Sequence, residues 1–554
     1  MGGHKEILSS DRPIGSIDED LLNRSNFSTS IANAIKGWQG NDSLVIGLFG
    51  DWGSGKSSVK NMILEALEKD NSTETIEFNP WMFSGYDRLL MAFFDEVGAI
   101  LGGEAGEEVN RKWEAYSKYL KVGGVALANL GKLSEVIGIS PLSQALQVTS
   151  NIVAVSAEGI NSEDKGSGDN IEQVSKLKQD LSSSLKEMKK TIVVVLDDID
   201  RLQKSEIPLL FQIIKINVDF PNLVFLLLCD RKYVENALEE VSPERGSQYL
   251  EKIVQVGFNL PQLNREQLGV ILNDKLKEVF KTEETRMRFE DEKERWERIY
   301  PDAILPFLKN IRDVNRLISS FSFTLGLFIK DARLEVNIVD LIGMEVIRIF
   351  EPDLYNKIPS YKYILAPDFY VMLNNIIEQR RNELEVLFEG YEEDRKAKVT
   401  QLLVELFPLI NRLVNKNPSL TRGEDELFRN LSISQSCYFD RYFQFVITEE
   451  ELPRYIYEEF IEKATDEEFV KNFLREHSQK KNLTVLLNDL SSYIVNIDES
   501  KAKSLVKAFL DEFENFETVI SLGGPDSFTG LIYKILSEFD TDKRGEVLLS
   551  AIRI

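Results

Sequence analysis

The sequence predicts an α/β protein: a doubly wound parallel-sheet core with a helical insert and a helical lid, followed by an all-α C-terminal region. Three observations carry this. A short apolar run, a glycine-rich turn and a helix-forming run follow one another over 44–68. Apolar strand-like runs then alternate with helical patterns as far as residue 260, as parallel-sheet proteins do. Beyond residue 264 no strand series is evident and the periodicity is helical.

Composition narrows the possibilities. At 554 residues the chain is too long for one core, and length suggests about three or four domains. Hydrophobic residues make up 43% and charged residues 28%, a globular composition. Lys and Arg number 66 against 91 Asp and Glu, a net charge of −25, which argues against nucleic acid as the partner. Cys229 and Cys437 do not suggest a disulfide framework, and His4 and His477 alone exclude a His-rich metal site. Met1 to Asp20 has no apolar run of signal-peptide length, so the expected compartment is reducing and cytoplasmic.

Residues 1–40 read as an arm, with Asp11-Arg12-Pro13-Ile14 a turn or extended segment and Leu21 to Ile35 a helix broken near Asn26. Leu44 to Phe49 is a buried strand. Gly50-Asp51-Trp52-Gly53-Ser54-Gly55-Lys56-Ser57 then fits the phosphate-loop pattern G-x-x-x-x-G-K-[ST], and Ser58 begins a helix to Glu68. Strand, glycine-rich turn and helix are the context in which backbone N–H groups and a helix N-terminus cradle phosphate. Lys56 would reach the β- and γ-phosphates, and the Ser57 hydroxyl would sit on Mg²⁺. In nucleotide-binding folds an arm such as 1–40 often covers the base; a helix packed on the sheet edge is the other reading.

Thr75 to Phe78 is a candidate strand ended by Asn79-Pro80-Trp81, and a helix is expected over Tyr86–Ile100. Residues 103–170 form an insert, with a helix at Glu107–Leu120 and apolar stretches at Val122–Leu130 and Val136–Val155. Val136 to Ala157 carries no charge, which raises a membrane reading for 119–160. Its Ser, Gln, Thr, Asn and Pro residues, Ser140, Pro141, Ser143, Gln144, Gln147, Thr149, Ser150 and Asn151 among them, argue instead for a helical packing or oligomer-contact insert. Asn161 to Asn170 reads as a polar loop. Ile171 to Lys190 is an amphipathic helix.

Thr191 to Leu196 is a central strand ending in Asp197-Asp198, where ligands of open α/β sheets bind. Asp197 would hold Mg²⁺, usually through water, and Asp198 would polarise the attacking water. Arg201 either neutralises transition-state charge or bridges a nearby acid. Ser205 to Val218 is a helix with Ser205 as a possible cap. Asn222 to Asp230 is a third buried strand, and Asp230 either senses the γ-phosphate or caps the helix Arg231–Glu240. Ile253 to Leu260 is another strand. Arg265–Phe280 and Ala303–Phe323 are helical patterns of a lid over 263–350, and Lys281–Arg298 between them is a charge-dense helix or loop. Arg312 and Arg316 stand one turn apart and either reach the γ-phosphate or lie on a solvated face. Over 351–554 seven helices are expected: 376–388, 395–413, 449–463, 466–476, 482–494, 501–513 and 525–539. No catalytic constellation stands out there, which suits a module that binds partners or packs into oligomers.

The combination resembles the KAP family of P-loop NTPases. The matching stretches are Asp11-Arg12-Pro13-Ile14 with Asp20-Leu21-Leu22-Asn23-Arg24, Gly50 to Ser58, Phe78-Asn79-Pro80-Trp81, Val195 to Arg201, Tyr249 to Val256, and Arg312-Asp313-Val314-Asn315-Arg316. The resemblance implies residues 1–262 as an ATPase core related to AAA+ and STAND ATPases, a helical lid, and ATP rather than GTP. Family members often carry transmembrane helices where 103–170 stands, and a proline where Ile311 precedes Arg312. Bacterial members are associated with phage defence. The function expected is an ATP-hydrolysing switch with Mg²⁺, acting through a homo-oligomer or a protein partner of 351–554. The alternatives are a nucleotide-stabilised, non-hydrolysing scaffold or a membrane-associated signalling adaptor.

Overall fold

The computed structural model describes residues 12–69, 71–83, 85–104, 107–121, 167–217, 219–239, 245–330, 332–367, 374–414, 423–445, 452–494, 497–515 and 528–552. The chain divides into two compact units. One holds Arg12–Leu263 with Asn310–Arg312; the other holds Asn264–Lys309 and the chain from Asp313 onward.

The first unit is built on five strands, β1 (Leu44–Phe49), β2 (Thr73–Phe78), β3 (Thr191–Leu196), β4 (Leu223–Cys229) and β5 (Val256–Asn259). They lie parallel in the order β2-β3-β4-β1-β5. β1, β3 and β4 are buried along their whole length, which is why they read as continuous apolar runs. Alternate residues feed opposite cores. Leu44, Ile46, Leu48, Val193, Val195 and Leu226 pack with α1 (Ser25–Lys36) and α2 (Lys56–Glu68). Val45, Phe49, Ile192, Val194, Phe225 and Leu227 face the other core. Its helices are α3 (Tyr86–Glu104), α4 (Glu107–Lys121), α5 (Ser167–Lys186), α6 (Ile207–Asn217), α7 (Arg231–Glu239) and α8 (Gly246–Glu251). Helices on both faces make the sheet doubly wound, as the sequence predicts.

The arm departs from its expected shape. Asn23 takes a left-handed φ of +54°, and the Asp20 carboxylate accepts the Leu22 and Ser25 N–H groups. The break therefore lies before Ser25, and Asn26 sits inside α1. Upstream, Ile14 N–H donates to Ser58 Oγ at 3.3 Å, Asn61 donates to Ile14 O at 2.8 Å, and Ile17 N–H donates to Glu65 at 2.7 Å. Positions 58, 61 and 65 share one face of α2, so residues 14–17 lie along that helix.

Helix α6 starts at Ile207 with Pro208 in its first turn, which leaves Ser205 in the turn before it. The apolar stretches of the insert, and most of the polar loop expected after them, lie outside the described residues. Among the described residues no helix is long and apolar enough to cross a membrane.

The second unit is almost wholly helical. Its helices α9 (Arg265–Val279), α10 (Glu283–Asp291) and α11 (Lys293–Ile299) are followed by a break. Where one helix is expected over Ala303–Phe323, a π turn at Tyr300–Ile304 and a 3₁₀ turn at Leu305–Phe307 precede α12 (Ile311–Leu327). Pro306 lacks the N–H that a continuous helix needs there. Similarly, the helix expected over 395–413 stops at Leu406, before Pro408. Ile329–Lys330 and Arg333–Leu334 pair antiparallel, a two-residue hairpin the sequence does not announce. Neither α13 (Ile338–Phe350) nor the helix Thr541–Ile552 is among the expected elements. Residues 338–347 of α13 are buried on every side, the charged Asp340 and Glu345 with them.

A charged network anchors α13. The buried Arg295 guanidinium bonds Asp340, Glu292 and Asn337 Oδ1. The other Asp340 oxygen accepts Ser432 Oγ at 2.8 Å and Ile433 N–H at 3.0 Å. Burial alone would lower the Arg295 pKa, but the Asp340 and Glu292 carboxylates override it and raise it. Removing one partner of such a group strands the other's charge in the interior. Arg295→Ala is expected to destabilise the helical unit by about 3–5 kcal/mol, read by urea unfolding; a loss below about 1 kcal/mol would contradict this role.

Candidate functional site

The carboxyl ends of β1, β3 and β4 supply Gly50, Asp197 and Asp230. Gly50 N–H donates to Cys229 O on β4 at 3.2 Å, tying the start of the loop to the sheet. Gly53 and Gly55 take left-handed φ values of +80° and +93°. A Cβ on Gly55 would stand 3.0 Å from the Arg24 guanidinium, and one on Gly50 2.6 Å from Ser54 Oγ, so the path suits glycine. Ser54 N–H closes back on Asp51 O at 3.1 Å, and α2 begins at Lys56. Left-handed residues before a helix N-terminus turn successive N–H groups to one side, the form of an anion cradle. Ser54 Oγ is buried without a hydrogen-bond partner among the described residues, a group that an oxygen-rich ligand in the loop would satisfy.

Three acids follow β3 within four residues, and each has a cation. Lys56 Nζ reaches Asp200 at 3.1 Å and also donates to Gly50 O at 3.0 Å. Lys60 Nζ lies 3.4 Å from Asp197 and 2.6 Å from Glu77. Burial pulls the Lys60 pKa down, but Glu77 and Asp197 together raise it above the ordinary lysine range. Arg201 Nε lies 2.8 Å from Asp198 Oδ1, which realises the ion-pair alternative for Arg201. Asp198 itself has a left-handed φ of +58°, and Asn79 Nδ2 donates to its other oxygen at 3.2 Å. Burial and then the Asp197 charge push the Asp198 carboxyl above the usual carboxylate range, against the pull of Arg201 and Asn79.

The remaining expected site residues scatter more. Trp52 lies at the loop tip, with the Arg201 and Arg312 guanidiniums 5.4 and 5.5 Å from its ring centroid. Arg316 belongs to the helical unit, over the Phe350 ring. Asp230 Oδ1 accepts Tyr233 N–H at 3.1 Å and caps α7, one of the two roles open to it. Ser58 holds the arm through Ile14. Ser57, in the first turn of α2, and Asp197 offer the hard oxygen donors that suit Mg²⁺. Among the described residues no three His, Cys, Asp or Glu side chains gather as a metal site.

Three participants carry no assigned role in the sequence reading: Arg24, Lys60 and Asp200. Arg24 is buried, and its guanidinium donates to the carbonyls of Ser54 in the loop and Pro261 after β5. Burial lowers its pKa, with Asp20 partly opposing. The signal for Arg24 and Asp200 was their place in the quoted motif stretches. Lys60 lies one helical turn after Lys56, the only hint of it in the sequence.

Comparison with known proteins gives one family. The model of the KAP family P-loop domain matches residues 24–328. A phage T7 exclusion protein of Escherichia coli (strain K12) is 29% identical over 262 residues, 46% of this chain and 34% of that protein. The match thus spans about a third of that relative's length. Two solved structures are also similar, both from Aeropyrum pernix. The ORC1 protein in complex with DNA is 15% identical, covering 71% of this chain and 94% of that one, with a TM-score of 0.28. The ORC2 protein in ADPNP–ADP complexes is 9% identical, covering 74% and 99%, with a TM-score of 0.32. At such TM-scores neither likeness bears on the site.

Because Arg24 joins the loop to the end of β5 by two charge-assisted bonds, Arg24→Ala is expected to cost about 2–4 kcal/mol of stability in urea unfolding. A change under about 0.5 kcal/mol would mean that the clamp contributes nothing.

Proposed function

The chain belongs to the KAP family of P-loop NTPases, and we propose that it binds ATP with Mg²⁺ and hydrolyses it as a molecular switch. The observation that carries this reading is the meeting of the glycine loop, Lys56 and the Asp197–Asp198 pair at the carboxyl ends of β1 and β3, the two strands that flank β4. The backbone N–H groups around Gly53 to Ser57 hold phosphate oxygens, and Lys56 exchanges Asp200 for the β- and γ-phosphates. Mg²⁺, when bound by Ser57 and Asp197, neutralises phosphate charge. Asp198, whose raised pKa suits a general base, takes the proton of the attacking water.

Arg312 and Arg316 are the groups proposed to couple the γ-phosphate to the rest of the chain. The helical unit would then engage a second copy of the chain or another protein. The net charge of −25 favours a protein over a nucleic acid in that role. The named role of the Escherichia coli relative supports an antiphage function here; the compartment proposed for it is the cytoplasm.

The test is steady-state ATP turnover beside equilibrium nucleotide binding. Lys56→Ala is expected to weaken ATP binding by about 100-fold or more, since a charge-assisted contact to phosphate is lost. Asp198→Asn is expected to keep binding within a few-fold and to lower kcat by roughly 10²–10⁴. Tight binding without any wild-type turnover would favour the non-hydrolysing scaffold. Equal ATP affinity in wild type and Lys56→Ala would defeat the reading altogether.

A further inference from the structure

The Asn79-Pro80-Trp81 turn has no role in phosphate or metal binding, yet it is joined to the hydrolytic end of the site. Pro80 opens a 3₁₀ turn over Pro80–Met82, and Asn79 Oδ1 accepts the Trp81 N–H at 3.2 Å. That bond fixes which end of the amide points inward, leaving Nδ2 to donate to Asp198 Oδ2 at 3.2 Å. One side chain therefore sets both the turn that presents Trp81 and one oxygen of Asp198. The other oxygen belongs to Arg201, whose Nε lies 2.8 Å away.

Arg201 is held in turn. Its guanidinium carbon lies 5.4 Å from the Trp52 ring centroid and 5.7 Å from that of Trp81. Both are within the range of attraction between a cation and an aromatic face. Trp52 and Trp81 are 48% and 53% exposed, so core burial does not account for two tryptophans at this point. The backbone of Asp198 is left-handed, a region that aspartate takes more readily than most residues with a side chain.

We infer that Trp52 and Trp81 clamp Arg201, and that Arg201 and Asn79 together hold the Asp198 carboxylate in the orientation that activates water. Arg201, the two indoles and Asn79 are then positioning residues that act through Asp198. This places Arg201 apart from a mobile charge donor to the phosphates, because swinging away would give up both rings and the carboxylate. It also assigns the Asn-Pro-Trp motif to the chemical step rather than to nucleotide affinity. The inference rests on the hydrolytic reading above.

The readout is the split between kcat and KM for ATP in the full-length chain. Trp81→Ala removes one indole at an exposed position and leaves the phosphate loop intact. It is expected to lower kcat about tenfold or more with KM within about twofold, since small misplacements of a reacting group are costly. Trp81→Phe keeps a ring face and should recover kcat to within about threefold of wild type. Arg201→Lys keeps the charge but lacks Nε and the planar fork, and should lose kcat as Trp81→Ala does. If Trp81→Ala fails to fold, Trp81→Leu replaces it with the same expected split. Wild-type kcat in the folded Ala or Leu variant overturns the inference. So does a parallel loss in kcat and affinity that Phe does not rescue. Absence of turnover in the wild type instead removes the hydrolytic reading, and this inference with it.

Discussion

Three carboxylates crowd into four residues at the end of β3, and the chain can keep them together only by matching each with a cation. Lys60 serves Asp197, Arg201 serves Asp198, and Lys56 serves Asp200. Like charges at this separation repel strongly in a half-buried setting. The cations come from two places: Lys56 and Lys60, one turn apart on α2, and Arg201, three residues beyond Asp198. The phosphate loop and the acidic strand end are therefore not separate features. The helix that receives the loop also supplies the countercharges for the acids, which binds β1 and α2 to β3 through electrostatics as well as through the sheet.

That arrangement explains why the core is built as it is. A parallel sheet whose three central strands are buried throughout fixes the strand ends relative to each other, and the loop is tied to β4 through Gly50 N–H and to the end of β5 through Arg24. The arm completes the support by lying along α2, with Ser58, Asn61 and Glu65 as its attachment points. Rigid supports on this scale are what a site needs when its work depends on sub-ångström placement of phosphate, metal and water. The helical unit relies on a different device. There a buried Arg295–Asp340–Glu292 network, completed by Ser432 and Asn430, fixes helices whose apolar contacts alone leave register open.

The sheet and its loop were legible because their signals are local. Leu44–Phe49, Thr191–Leu196 and Leu223–Cys229 are continuous apolar runs, and the glycines of the loop sit at fixed spacing beside them. The family was legible for the same reason, through short motifs such as Asn79-Pro80-Trp81. The partners inside the site were not. Lys56 and Asp200 are 144 residues apart, Asn79 and Asp198 are 119 apart, and no periodicity announces such pairings. The helices misread or missed have physical reasons of their own. Pro306 and Pro408 cut patterns whose apolar spacing runs on past them, and α13 takes Asp340 and Glu345 into the interior, where charges are not expected without partners distant in sequence. The break in the arm was misplaced because Asp20, by capping through its side chain, moves the helix start to Ser25.

A structure of the full chain with Mg²⁺ and a non-hydrolysable ATP analogue would test most directly whether this is a hydrolytic site. The expected result has the triphosphate in the Gly50–Ser57 loop, with Lys56 Nζ moved from Asp200 to the β- and γ-phosphate oxygens. The Asp198 carboxylate, still held by Asn79 and Arg201, would face the γ-phosphate with a water between them. A nucleotide bound elsewhere, or Asp198 turned away from the γ-phosphate while Lys56 remains on Asp200, would contradict it.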